Sequence, residues 1–118
     1  MLQNSRLKAK FSLNHKVAVY VPATININET IDNTKQVEEA ATLLSNLFGG
    51  ATSSPVNGYW VSDTAGLVKE KTVMVFAFAD EESLKNGIDQ VIDYAEKIKL
   101  EMKQDAVALE IDNEMFFI

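Results

Sequence analysis

Thr72-Val73-Met74-Val75-Phe76-Ala77-Phe78 is the stretch on which the fold turns. β-Branched and aromatic side chains dominate it, and these suit a pleated, half-buried strand. Successive side chains alternate between faces. Val73, Val75 and Ala77 therefore share one side, and Thr72, Met74, Phe76 and Phe78 the other. Neither side is polar, whereas a sheet with one hydrated face would alternate apolar and polar residues. The run predicts a strand covered on both sides.

A second such strand lies at residues 16–21, KVAVYV, with Val17, Val19 and Val21 on one face and Ala18 and Tyr20 on the other. Pro22 ends or edges it, having no amide hydrogen to donate. Residues 23–33 read as a loop or a short strand extension anchored by Ile25, Ile27 and Ile31. Beyond the central run, residues 80–103 predict a long helix with Asp80 as its cap. Leu84, Ile88, Val91, Ala95, Ile98 and Met102 recur at helical spacing and make one apolar stripe. Gly87 interrupts it at a cost of about 1 kcal/mol against alanine, which either marks a close approach or has no packing role. A shorter helix spans 34–48, capped by Asn33 or Thr34, with Val37, Ala40, Ala41, Leu44, Leu47 and Phe48 at helical spacing and Gly49 as its stop.

Between this helix and the central strand, residues 49–58 read as a turn-rich loop, followed by a short strand at Tyr59–Ser62 and a turn at 63–66. The long strand then covers Leu67–Ala79. A strand at 106–111, a turn at 112–114 and a last strand at 115–118 close the chain. The order predicts an α+β fold, a ferredoxin-like two-layer sandwich. Its mostly antiparallel sheet carries two helices on one face and an extra C-terminal strand. Residues 1–14 form a basic N-terminal arm and 15–118 a single domain.

Composition narrows the function classes. The 118 residues are 47% hydrophobic and 24% charged, with no cysteine, so disorder, disulfides and thiolate metal sites are excluded. No run approaches the roughly 18 apolar residues of a membrane span, no secretory signal is visible, and a cytoplasmic location is expected. The net charge is -6, and an acidic body repels nucleic-acid phosphates. Only the arm, with Arg6, Lys8 and Lys10, offers a cationic surface.

Few residues suggest chemistry. His15, the single histidine, could act as a general base, although a lone strand-edge histidine is more often structural. No metal-ligand spacing or cofactor motif is present, so neither is expected. Glu70 starts the long strand among residues that are largely apolar, a setting that suits proton transfer if the carboxyl is buried. Tyr20 is a third candidate acid or base. Trp60 could stack on a ligand, with core or interface packing as the plainer role.

Phe48-Gly49-Gly50-Ala51-Thr52, Gly58-Tyr59-Trp60 and Gly66-Leu67-Val68-Lys69-Glu70 together resemble a pattern in small uncharacterised bacterial proteins. There a glycine-threonine turn is followed by a Gly-x-Trp strand and a Val-x-Glu strand start. The chain is also similar to short proteins of plasmids and conjugative elements. That resemblance implies no activity, but it marks Thr52, Trp60 and Glu70 as candidate ligand-binding residues.

The leading expectation is a non-enzymatic homo-oligomer, a binding or regulatory protein that self-associates through its second sheet face and engages a host protein or small molecule. The alternatives are a small enzyme using Glu70 beside Trp60 and a nucleic-acid-associated protein acting through the arm.

Overall fold

Five strands form one sheet in the order β4-β5-β1-β6-β7, every neighbouring pair antiparallel. They are β1 (His15–Pro22), β4 (Thr52–Ser62), β5 (Gly66–Ala79), β6 (Ala108–Ile111) and β7 (Glu114–Phe117). The computed structural model describes residues 3–25 and 29–118. Helices α2 (Thr34–Phe48) and α3 (Glu81–Glu101) cover one side, and a single helical turn, α1 (Ser5–Lys8), lies in the arm. The four-strand order is that of the ferredoxin-like sandwich, with β7 added at the edge as expected. Between β1 and α2, a short β2 (Thr24–Ile25) pairs with β3 (Glu29–Thr30). The expected anchor Ile27 lies outside the described residues.

The helices pack on the face of Val17, Val19, Val21, Val75, Ala77 and Leu109, closing a core with Ala40, Leu44, Val91, Ala95 and Ile98. Both helix ends follow from local chemistry. Asp80 accepts a hydrogen bond from the Ser83 amide at 2.7 Å, which satisfies an otherwise orphaned donor of the first turn. Gly49, at φ 93°, ends α2 in the left-handed region that glycine tolerates best. At Gly87 an added Cβ would lie 3.3 Å from side-chain atoms of Leu47 and Phe48. The glycine thus marks a close approach of the two helices.

One expectation fails clearly. Residues 52–58 are not a loop but the first part of an eleven-residue strand. Pro55 sits inside it, opposite Val73. This is tolerated because β4 is the edge strand, where a missing amide hydrogen breaks no inner ladder. β5 pairs with β1 only from Thr72 onward. Residues 66–70 therefore pair with β4 alone, while the Lys71 carbonyl still accepts the Ala23 amide at 3.0 Å, and the hairpin runs past the end of β1 as a two-stranded ribbon.

Candidate functional site

The face without helices is less apolar than the sequence suggests. Lys16, Ala18 and Tyr20 of β1 share it with Met74, Phe76 and Phe78 of β5 and with Glu110 of β6. Lys16 Nζ lies 3.8 Å from Glu110 Oε2 and 5.0 Å from the centre of the Phe76 ring. The Tyr20 hydroxyl donates to Glu110 Oε1 at 2.7 Å. A polar strip thus crosses the middle of the face. Around it Phe78 stays 48% exposed, Met115 43% and Phe117 74%, so apolar groups remain open to water on either side.

At the end of this face, where the ribbon departs, is a cleft of about 520 Å³. Tyr20, Thr72 and Ala108 line it from the sheet. Trp60, Tyr59 and Glu70 contribute from the ribbon, Gln104 and Asp105 from the segment after α3, and Phe117 from the last strand. The register explains the opening. Glu70 faces Gly58 across the β4–β5 ladder, and the missing side chain leaves space beside its carboxylate. Trp60, two residues on, shares that face and rises next to the space. Gln104 is fixed by donating to the carbonyls of Thr24 and Met102 at 3.1 and 3.0 Å.

The structure thus gathers Glu70, Trp60 and Tyr20 around one cleft. Glu70 is exposed rather than buried, which departs from the expected apolar setting, because the ribbon carries it beyond the layer of sheet that β1 covers. Tyr20 is half-buried. Burial first, then its hydrogen bond to Glu110 and that carboxylate's charge, push its hydroxyl pKa up to about 12. The phenol therefore keeps its proton at ordinary pH and is no general base at rest.

Two candidates lie elsewhere. His15 stands at the opposite end of β1, its Nδ1 3.0 Å from Asp112 Oδ2. Asp112 also accepts the Lys16 amide at 2.9 Å, so the pair ties the β6–β7 turn to the strand. Thr52 is exposed at the start of β4, near Gly50, Phe76 and Leu13. Tyr59, Gln104, Asp105 and Phe117 were missed as cleft residues. They come from three separate segments that only the strand register and the fold bring together. Among the described residues no group of three or more histidine, aspartate or glutamate side chains is placed to hold a metal ion.

No protein-family model matches the chain, and no curated protein does. Solved structures do. A phage SAM lyase in complex with S-methyl-5'-thioadenosine superposes at a TM-score of 0.65 over 92% of each chain, with 14% identity. A phage SAM lyase in its apo state gives 0.65 over 90% of this chain and 89% of that one, with 18% identity. A Bacillus cereus protein related to NIF3 reaches only 0.44, with 19% identity, over 97% of this chain and 30% of that one.

These likenesses show the fold. They also correct the leading expectation of a non-enzymatic binding protein, since the neighbours sharing this architecture along nearly their whole length are enzymes. That expectation rested on the two-sided apolar sheet and on the lack of a complete catalytic set, such as a nucleophile with its base and orienting group. Such a set serves reactions that need an activated protein nucleophile, and not every bond cleavage does.

Proposed function

We propose that the chain is an enzyme, a lyase-type catalyst acting on an adenosyl sulfonium compound of the S-adenosylmethionine kind, with its active site in the cleft of Glu70 and Trp60. The observation that carries this reading is the position of that cleft. It joins a carboxylate, aromatic walls and a half-buried phenol at one end of a fold shared with a SAM lyase over 92% of both chains.

The chemistry suits the residues. In such a substrate sulfur carries a positive charge. When its bond to the amino-acid side chain breaks, sulfur keeps the electron pair and becomes the neutral thioether of S-methyl-5'-thioadenosine. The carbon left behind is satisfied within the same substrate, either by attack of its own carboxylate or by loss of a neighbouring proton. No oxidant and no water are consumed. The protein's tasks are to hold the purine, to exclude water and to place an anion beside the sulfonium. Trp60, on the same face of the ribbon as Glu70, offers an aromatic face for the purine, and such a face also attracts cations. Glu70 supplies the anion and accepts the proton where one is released.

Binding of S-methyl-5'-thioadenosine tests the site. Titration calorimetry should show one site per chain, and Trp60→Ala should weaken it about tenfold through lost stacking. Unchanged affinity in that variant would place the nucleoside elsewhere.

We also propose that a second copy of the chain covers the face lacking helices. Phe78, Met115 and Phe117 are exposed there, while Lys16 and Glu110 give the same patch both signs of charge. A surface of that kind complements itself. No described helix is long and apolar enough to cross a membrane, and a chain without cysteine suits the reducing cytoplasm in which we place it.

A further inference from the structure

We propose that the Tyr20–Glu110 pair makes the cleft prefer a positively charged nucleoside to a neutral one; this rests on the lyase reading above. Tyr20 lines the cleft, and its hydroxyl donates to Glu110 Oε1 at 2.7 Å. A carboxylate is acceptor-only, so the phenol proton is committed to Glu110. The acceptor side of the phenol oxygen is left for the cleft, its negative charge deepened by the short bond to an anion.

Lys16 fixes the geometry from behind. Its ammonium lies 3.8 Å from the second Glu110 oxygen and rests over Phe76, which holds the carboxylate in one orientation. The phenol pKa, at about 12, keeps this donor role constant through ordinary pH. Glu70 presents charge of the same sign from the ribbon side of the cleft. A sulfonium or ammonium between Glu70 and Tyr20 gains from both, and a neutral thioether gains from neither. Trp60 stacks on the purine in either case, and the variants below leave that contact unchanged. Tyr20 would touch the ligand, and Glu110 is a positioning residue that acts through it.

Two ligands isolate the effect. S-Adenosylhomocysteine has a neutral thioether where sinefungin, otherwise closely alike, carries an ammonium. Both are titrated against the fluorescence of Trp60, the single tryptophan. The wild-type chain should bind sinefungin about tenfold more tightly, the scale of a charge-assisted contact. Tyr20→Phe and Glu110→Gln should each cut that preference to about twofold while affinity for S-adenosylhomocysteine stays within about twofold. Glutamine still accepts the phenol proton, so Glu110→Gln removes charge while keeping the hydrogen bond, and equal melting temperatures confirm an intact fold. The inference is overturned if the wild-type chain binds both ligands equally, or if both variants keep the wild-type ratio. It is also overturned if they lose affinity for both ligands by one factor, as a merely structural pair would. Binding of neither ligand by the wild-type chain overturns the lyase reading and this inference together.

Discussion

Tyr94 shows how a single side chain joins the two helices. It is 9% exposed, and its hydroxyl donates to the Gln36 carbonyl at 2.8 Å and lies 3.1 Å from Glu39 Oε1. Burial and the neighbouring carboxylates push its pKa well up, so it remains a donor. A net hydrogen bond of this kind contributes about 1 kcal/mol, and removing the hydroxyl leaves acceptors short of a partner. Tyr94→Phe should therefore lower stability by about 1 kcal/mol in urea unfolding at unchanged m-value. No change in the midpoint would show that water replaces the phenol freely.

At the scale of elements, two loop-to-structure junctions depend on ionised carboxylates. The Ser83 amide and hydroxyl hold the Asp80 carboxyl below its ordinary value at the start of α3. His15, then the Lys16 amide, do the same for Asp112 at the β6–β7 turn. A carboxyl whose pKa is lower folded than unfolded contributes its full stabilisation above the unfolded value and loses it as pH falls through the folded one. Thermal midpoints should therefore drop on acidification below about pH 4. The double variant Asp80→Asn, Asp112→Asn should show a shallower drop, because asparagine still caps yet does not titrate. An identical acid slope would assign the loss to other groups.

The same scale shows what the sequence makes legible. α2 was readable to within two residues because an apolar stripe and the Gly49 stop agree, and α3 because the Asp80 cap and an apolar stripe do. Asn33 makes no side-chain cap and donates instead to the Val21 and Pro22 carbonyls. β1 and β5 were readable because β-branched runs have few other uses. β4 was not, since Ser53, Ser54, Pro55, Asn57 and Gly58 all carry turn chemistry, and only its place at the sheet edge makes them acceptable there. For the site, Glu70, Trp60 and Tyr20 were marked one by one. Their meeting was hidden because it depends on strand register. Thr52 and His15 were marked on the same grounds, and the sheet carries both away from the cleft. The uncovered face differs in one respect: Glu110 reaches it from β6, and its partnership with Lys16 and Tyr20 spans ninety residues of sequence or more.

For the whole molecule, helices shelter one side of the sheet and the ribbon extends it past β1, leaving Tyr59 58%, Val61 76% and Leu67 67% exposed. A two-stranded ribbon is marginal by itself in water, which adds to the case for a second copy. Sedimentation velocity at micromolar concentration should give a species larger than the 13.1 kDa chain. Phe78→Lys with Phe117→Lys should return it to the monomer, while a wild-type monomer would remove the self-association proposal. Along the molecule, the basic arm stands apart in charge, with Arg6, Lys8 and Lys10 in none of the ion pairs found among the described residues.

The central claim is that the cleft breaks a carbon–sulfur bond. The most direct measurement is to incubate the purified chain with S-adenosylmethionine and follow S-methyl-5'-thioadenosine by mass spectrometry. The account predicts that the thioether forms far faster than in buffer, and that Glu70→Gln slows it by about 100-fold or more. Formation at the buffer rate by the wild-type chain, or at the wild-type rate by Glu70→Gln, would contradict it.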